Sequence, residues 1–332
     1  MLKRALAAFA LAGLGLLAGA QTPVIAAEKV VFLIDWLPAG DKAVAYLGVQ
    51  DGLFAAEGLE VTIQSGRGSS DVVTKLGTGA ADMGTGGLAA LLQARAQSPV
   101  AVKAIASIYT LQPDAIFTTE GSGISSLKDV AGKTIATATF SSSNVSWPLV
   151  LKANGVDAAK VELLKADPGA LAPMLASGKV AATINWVTVA PAFAKPLAET
   201  GKKLKVIAWS DYGFDGYGLS VFASEKMLTE RPETVKKFMR AYMKATAKAL
   251  ADPAAAATAL KAMVPEVDVE VARAQFAASI PLIVNDISKK DGEGAFEKAL
   301  LAKTWKWTAE AQNLPLDKLD PETAVDRSFL AK

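Results

Sequence analysis

The 332-residue chain contains no histidine and no cysteine. This absence excludes the usual Ser-His-Asp and Cys-His nucleophilic systems, and it excludes zinc sites built from imidazole or thiolate ligands. Disulfide bonds are impossible, so an exported form of this chain would not be a disulfide scaffold. An enzyme would have to rely on Asp, Glu, Lys, Ser or Tyr alone. We predict no catalytic residue, no metal ligand and no cofactor.

The chain also lacks a charge of one dominant sign, with 35 Lys and Arg against 33 Asp and Glu and no basic run that stands out. Nucleic acid is therefore not expected as a partner. The composition is 51% hydrophobic and 20% charged. At this length, such a composition is enough for two domains with a sizeable core.

A long apolar run is absent except at the start of the chain, so no later segment is predicted to span a bilayer. Residues 1–27 combine a basic beginning, an apolar run over 5–19 and small residues up to Ala20 and again up to Ala27. This pattern is typical of a secretory signal peptide, and the short run, rich in Ala and Gly, disfavours a membrane anchor. We predict cleavage after Ala27, with Ala20 as the alternative.

The most informative stretch begins with an apolar, β-branched run at 30–34, which is typical of a buried parallel strand. Polarity changes abruptly at Asp35 and Trp36, and a helix over 43–52 and a second strand over 61–64 follow. Ligands of open α/β sheets bind outside the carboxyl ends of the strands. We therefore predict that Asp35 and Trp36 supply a ligand-binding carboxylate and ring.

Two turns rich in glycine or hydroxyl groups precede predicted helices. In the first, Gly68 permits a tight turn, and Ser69 or Ser70 would cap the helix. Free N–H groups at such a helix start suit a polar or anionic ligand group. Arg67 would add a fork of donors for a carboxylate or sulfonate, or it is simply a solvated side chain. A similar helix start at 139–144 would clamp the ligand from the other side of a cleft.

The order of motifs resembles the bacterial ABC-transporter substrate-binding proteins of the nitrate/sulfonate/taurine and thiamine-pyrimidine-precursor branch. The resemblance rests on Asp-Trp-x-Pro at 35–38, Gly-x-Phe-x-x-Glu-Gly-Leu-x-Val at 52–61, Gly-x-Ala-Asp-x-Gly at 79–84 and Asp-Tyr-Gly at 211–213. It spans nearly the whole mature chain. The Asp-Trp pair is more similar to the pyrimidine-precursor binders than to the sulfonate binders.

This resemblance implies a type II periplasmic-binding-protein-like α/β fold, in which two α/β lobes are joined by two hinge crossings near 109–112 and 211–213. We assign 28–110 and 214–332, with the C-terminal helices, to lobe one and 111–213 to lobe two. The resemblance also implies a periplasmic monomer that binds a small molecule and docks on an ABC permease and ATPase complex.

The candidate ligand-binding residues lie at strand ends, helix starts and the crossings. They are Asp35, Trp36, Arg67, Gly68, Ser69, Ser70, Thr85, Gly86, Tyr109, Phe140, Ser141, Ser142, Asn185, Trp186 and Tyr212. Their aromatic rings favour a flat heterocycle, and a thiamine-precursor-like pyrimidine is our first expectation. Trp186 is either a stacking platform or a core residue. Arg67 departs from the family pattern and keeps an aromatic carboxylate, sulfonate or nitrate-type anion open.

A hypothesis of another class is an exported enzyme that uses carboxylates on the same fold. Asp35 and Asp211 are the acidic residues expected near the cleft, and no spacing pairs them for acid–base work. The enzymes among the eukaryotic relatives of this branch rely on cysteine and histidine, which this chain lacks. We therefore predict reversible binding without chemistry, either for an importer or for a signalling receptor.

Overall fold

The structure is a computed structural model that describes residues 26–330. The predicted signal peptide lies outside the described residues except for its last two positions, so neither cleavage site is tested. Within residues 26–330, ten strands form two five-stranded sheets. They are β1 Glu28–Ile34, β2 Leu59–Ser65, β3 Met83–Gly87, β4 Val102–Ser107, β5 Asp114–Thr119, β6 Thr134–Ala138, β7 Glu162–Ala166, β8 Ala182–Trp186, β9 Leu204–Ala208 and β10 Leu219–Ser224.

Helices cover the sheets, and a group of them follows the last strand. They are α1 Ala43–Gln50, α2 Leu53–Ala56, α3 Ser69–Gly77, α4 Leu88–Gln97, α5 Ser143–Ala153, α6 Leu171–Ser177, α7 Ala190–Ala198, α8 Glu225–Glu230, α9 Pro232–Ala251, α10 Pro253–Met263, α11 Val269–Ile283, α12 Asp286–Asp291 and α13 Lys298–Ala311. No helix within residues 26–330 has the length and apolar character needed to cross a bilayer.

The first sheet, which we place in lobe one, has the strand order β2-β1-β3-β10-β4. The apolar run of β1 explains its place inside the sheet, where it pairs in parallel with both β2 and β3. The returning strand β10 is antiparallel to β3 and β4. Phe32 of β1 packs against Phe238 and Tyr242 of α9, so the C-terminal helices complete the core of this lobe.

The second sheet, which we place in lobe two, has the order β7-β6-β8-β5-β9. Its inner strands β6 and β8 are parallel to each other, whereas β5 is antiparallel to β8 and β9. The chain passes between the sheets twice, from β4 to β5 and from β9 to β10. The predicted architecture of two α/β lobes with two crossings is confirmed.

Candidate functional site

A small cavity of about 20 Å³ lies between the lobes, beside the carboxyl ends of β1, β6 and β8. Its walls combine charged, aromatic and hydroxyl side chains. The lining residues are Asp35, Trp36, Asp41, Lys42 and Ser69 from lobe one and Ser141, Asn185, Trp186 and Val189 from lobe two. Six of the fifteen candidate residues predicted from the sequence therefore surround one cavity.

The floor of the cavity is a buried group of three charges. Lys42 Nζ lies 2.9 Å from Asp35 Oδ1 and 3.5 Å from Asp41 Oδ2. None of the three residues is more than 5% exposed. Burial acts to lower the pKa of Lys42, but the charges of Asp35 and Asp41 outweigh it, and the net shift is upward. Lys42 is therefore an ammonium group that neutralises one of two neighbouring carboxylates.

The backbone that carries Asp41 and Lys42 is a 3-10 turn at Gly40–Lys42, immediately before α1. The turn lies directly on α11: a Cβ atom at position 40 would come within 1.7 Å of the carbonyl oxygen of Ala272. The Gly40 N–H donates to the side-chain oxygen of Gln275 at 2.9 Å. A glycine is required here because any Cβ atom would clash with the backbone of α11. The close contact with α11 positions Asp41 and Lys42 at the cavity.

Sequence reasoning missed Asp41 and Lys42. The available signal was a charged pair inside the turn after β1, directly ahead of a run at 43–49 that is almost entirely apolar. Such a pair is also typical of a solvated helix start. Its burial depends on α11, which lies more than 200 residues further along the chain, so local pattern alone does not reveal it.

Asp35 is held from a second side by the start of α3. Ser69 Oγ donates to Asp35 Oδ2 at 2.9 Å and accepts a hydrogen bond from the N–H of Gly87 at 2.9 Å. The expectation that Ser69 or Ser70 caps α3 is wrong, because the N-cap is Gly68 and no side chain caps this helix. Ser69 instead fixes the carboxylate at the bottom of the cavity.

Lobe two contributes an indole ring, a side-chain amide and a hydrogen bond that crosses the cleft between the lobes. The Lys42 ammonium lies 4.7 Å from the ring centroid of Trp186. Asn185 donates from Nδ2 to Thr183 Oγ1 at 2.7 Å, and its buried Oδ1 has no hydrogen-bond partner within residues 26–330. Thr188 Oγ1 donates to Asp41 Oδ2 at 2.8 Å. That bond joins the lobes beside the charged group.

The two predicted helix starts do face each other, but they contact one another directly at the rim. The Ser70 N–H donates to the carbonyl oxygen of Phe140 at 3.0 Å. Gly68 is in the positive-φ region, and a Cβ there would lie 2.3 Å from the same oxygen. Arg67 is 60% exposed at its side chain, lies over the Phe140 ring at 4.6 Å and pairs with Asp71 at 3.4 Å. Its guanidinium therefore does not line the cavity.

Three further candidates lie behind the cavity wall. Tyr109 is fully buried, with its ring edge against Trp186, and its hydroxyl donates to the backbone oxygen of Asp41 at 3.4 Å. Thr85 is buried within β3. At Gly86, a Cβ atom would run into the ring of Phe222, because alternate positions of β3 face the core of lobe one. All three residues are buried, and none of them lines the cavity.

Two candidates lie elsewhere. Ser142 packs against Gly87 at the interface between the lobes, where a Cβ on the glycine would approach Ser142 Oγ to 2.4 Å. Tyr212 is 36% exposed in the 3-10 turn that follows β9. Asp211, the second carboxylate of the enzyme hypothesis, is exposed in the same turn and does not line the cavity. The described residues hold no cluster of three acidic side chains that could bind a metal.

Comparison with known proteins identifies a family and relatives of this chain. Residues 40–256 match the family model described as NMT1/THI5 like. The chain is 27% identical over 91% of its length to the riboflavin-binding protein RibY of Chloroflexus aurantiacus, of which it covers 86%. It is 26% identical to the 4-amino-5-hydroxymethyl-2-methylpyrimidine phosphate synthase THI13 of Saccharomyces cerevisiae, over 68% of each protein.

Among solved structures, the chain is similar to the alkanesulfonate-binding protein SsuA from Xanthomonas axonopodis pv. citri bound to MOPS. The TM-score is 0.70 at 18% sequence identity, over 91% of this chain and 99% of that chain. This likeness confirms the predicted fold of the periplasmic binding proteins. The family model covers well over half of the 332 residues, and the chain therefore belongs to the NMT1/THI5-like family.

Proposed function

We propose that this protein binds a small, flat nitrogen heterocycle outside the cytoplasm and delivers it to an ABC importer. A thiamine-precursor-like pyrimidine is the favoured ligand. The observation that carries the proposal is the cavity between the lobes, which is lined by Trp36, Trp186 and the buried Asp35 carboxylate. Indole faces suit a flat ring, and a carboxylate accepts from ring or exocyclic N–H groups. The partners would be a membrane permease and its ATPase.

The cavity volume of about 20 Å³ is room for about one water molecule, whereas small-molecule sites span about 300–1,000 Å³. The lobes therefore have to move apart to admit a ligand. Two relatives carry names that refer to flat nitrogen heterocycles, riboflavin in one case and an aminopyrimidine in the other. These names support the ligand class.

An aromatic carboxylate, sulfonate or nitrate-type anion is less well supported by the charges. Lys42, the one cation among the described residues that line the cavity, already faces the carboxylates of Asp35 and Asp41. Arg67 is engaged at the rim by Asp71 and Phe140. An anionic ligand would need Arg67 to leave both partners and turn inward.

The enzyme hypothesis receives no support from the carboxylates. Acid–base chemistry needs two titrating groups that converge on one reacting atom. Asp35 is committed to Lys42 and Ser69, Asp41 is committed to Lys42 and Thr188, and Asp211 is on the surface. The protein would therefore bind and release its ligand unchanged.

The proposal is tested by thermal unfolding of the refolded mature chain, because refolding removes any ligand that co-purifies. The panel contains 4-amino-5-hydroxymethyl-2-methylpyrimidine, riboflavin, 4-aminobenzoate, taurine and nitrate. A ligand present at one hundred times its Kd stabilises the native state by about 2.7 kcal/mol. We expect a shift with the pyrimidine that is lost in Trp36→Ala and Asp35→Asn.

The control is Tyr212→Ala, which removes an exposed ring outside the cavity and should leave the shift unchanged. A shift produced only by the anions, and abolished by Arg67→Ala, would instead establish the anion-binding alternative.

A further inference from the structure

We infer that the cavity binds its heterocycle as a cation, either a protonated aminopyrimidine or a ring that carries a quaternary nitrogen. The inference rests on the proposed function, because it specifies the charge of the ligand in that same site. It follows from three observations: the net charge of the residues that line the cavity, the hydrogen-bond acceptors among them that have no partner, and the aromatic rings of the lining.

The cavity carries one uncompensated negative charge. Among the described residues that line it, Asp35 and Asp41 are acidic and Lys42 is basic. All three are almost completely buried. An unpaired charge out of contact with water is costly, so the site favours a positive partner. A cationic ligand would bring the site to neutrality, whereas an anion would double the imbalance.

Among the buried side chains of the cavity, three oxygens lack a hydrogen-bond partner within residues 26–330, against one donor, the Lys42 ammonium. Ser69 donates to Oδ2 of Asp35, and Thr188 donates to Oδ2 of Asp41. Apart from the ion pair between Asp35 and Lys42, the Oδ1 atoms of both carboxylates and of Asn185 have no hydrogen-bond partner within residues 26–330. A ligand that bears several N–H groups would satisfy these oxygens. Protonation of a pyrimidine ring nitrogen converts one more acceptor into a donor.

The aromatic walls suit a positive charge. Trp36 and Trp186 both line the cavity, and an indole face is the best aromatic partner for a cation. Lys42 already places an ammonium 4.7 Å from the Trp186 centroid. The same ring therefore tolerates a cation on one face in the closed protein.

The groups behind these walls do not compensate the negative charge. Asp114 lies next to Trp186 in the second sheet, and burial raises its pKa to about 6, so it adds a further negative charge above that pH. Tyr109 and Tyr242 lie near the acidic pair, and burial raises the pKa of both, so they remain neutral. Arg67 is outside the cavity and is paired with Asp71.

The test compares ligands of matched shape and different charge near pH 7.5 by titration calorimetry. The probes are the permanent cation 4-amino-1-methylpyridinium, its neutral isostere 4-methylaniline and the anion 4-aminobenzoate. We expect the cation to bind at least about tenfold more tightly than the neutral probe, in line with a close buried charge pair. Asp41→Asn, which makes the cavity neutral, should bring the ratio close to one.

Asp51→Asn is the matched control, because it removes a carboxylate that pairs with Lys248 on the surface of lobe one. The ratio should stay as in the unmodified protein. A second measurement needs no variant in the cavity: the apparent Kd of 4-amino-5-hydroxymethyl-2-methylpyrimidine should rise about tenfold per pH unit above the pKa of its ring nitrogen. Asp114→Asn, measured in parallel, separates this effect from the titration of Asp114.

The outcomes separate this inference from the proposed function. Equal affinity for the cation and its neutral isostere, together with pyrimidine binding that does not change with pH, would overturn the inference and leave the proposed function intact. Failure of every heterocycle to bind, including the parent pyrimidine, would overturn both.

Discussion

Each lobe contains a buried carboxylate that accepts a hydrogen bond from the first residue of a helix, but the two carboxylates differ in their charged neighbours. In lobe one, Asp35 accepts from Ser69, the first residue of α3, and also contacts the Lys42 ammonium. In lobe two, Asp114 accepts from Ser143, the first residue of α5, and from Gln112. Asp114 has no basic partner among the described residues.

The difference shows what the lysine contributes. Burial raises the pKa of Asp114 to about 6, because hydrogen bonds from neutral donors only partly offset the loss of water. In lobe one, the two carboxylates instead raise the pKa of the lysine that they share. Among the described residues, the carboxylates of lobe one share a buried ammonium, whereas Asp114 of lobe two pairs with Trp186 across β5 and β8 and has no basic partner.

Removal of the lysine should have the largest effect. In Lys42→Met, Asp35 and Asp41 would be left buried without a cation, and such a loss destabilises a protein by about 3–5 kcal/mol. Urea unfolding near neutral pH measures the change. Lys248→Met is the control, because it breaks an exposed pair with Asp51 and should cost about 0–1 kcal/mol. Similar small losses in both variants would show that Lys42 does not compensate the carboxylates.

Asp114, the buried carboxylate of lobe two, should make the unfolding free energy of the protein depend on pH. Because its pKa is raised from 3.8 to about 6 in the folded state, Asp114 binds its proton more tightly there than in the unfolded chain. Its contribution to stability is therefore complete below pH 3.8 and is lost as pH rises through 6. The total change is about 3 kcal/mol, at 1.36 kcal/mol per pKa unit.

Asp114→Asn removes this titration while it keeps the size of the side chain. The difference in unfolding free energy between the two proteins, measured from pH 4 to pH 8, isolates the effect from that of all other groups. A difference that stays constant across the range would contradict the raised pKa.

The residues of the site also differ in whether their position could be predicted from the sequence. Ligands of open α/β sheets bind outside the carboxyl ends of the strands. Asp35 and Trp36 could be predicted on this basis, because they directly follow the apolar run of β1 in the chain. The resemblance led to Asn185 and Trp186 at the end of β8. All four line the cavity. Their role in binding stays a prediction, but their position around one cavity could be predicted from the order and spacing of the sequence motifs.

The missed and misplaced residues depend on distant contacts. Asp41 and Lys42 are buried by α11, through the close approach of Gly40 to Ala272, which no local pattern encodes. Arg67 appeared suited to an anion, but Phe140 of the other lobe holds its guanidinium at the rim. Local sequence identifies the chemical groups, and tertiary contacts decide which way each group faces.

The smallest expected effect concerns closure of the two lobes. Gly68→Ala would place a Cβ within 2.3 Å of the Phe140 oxygen, which accepts the Ser70 N–H across the rim. The rim would open, and the apparent Kd would rise by the factor by which the closed population falls, about tenfold for a loss of 1.4 kcal/mol.

Gly58→Ala separates closure from backbone strain. Gly58 also has a positive φ, but its Cβ would meet no atom within 4 Å. Both variants should lose similar stability, while only Gly68→Ala should weaken ligand binding and increase the radius of gyration of the unliganded protein in solution scattering. Equal affinities in the two variants would mean that the contact between Gly68 and Phe140 is incidental. In that case, the lobes would be held closed mainly by the bond from Thr188 to Asp41 beside the charged floor of the cavity.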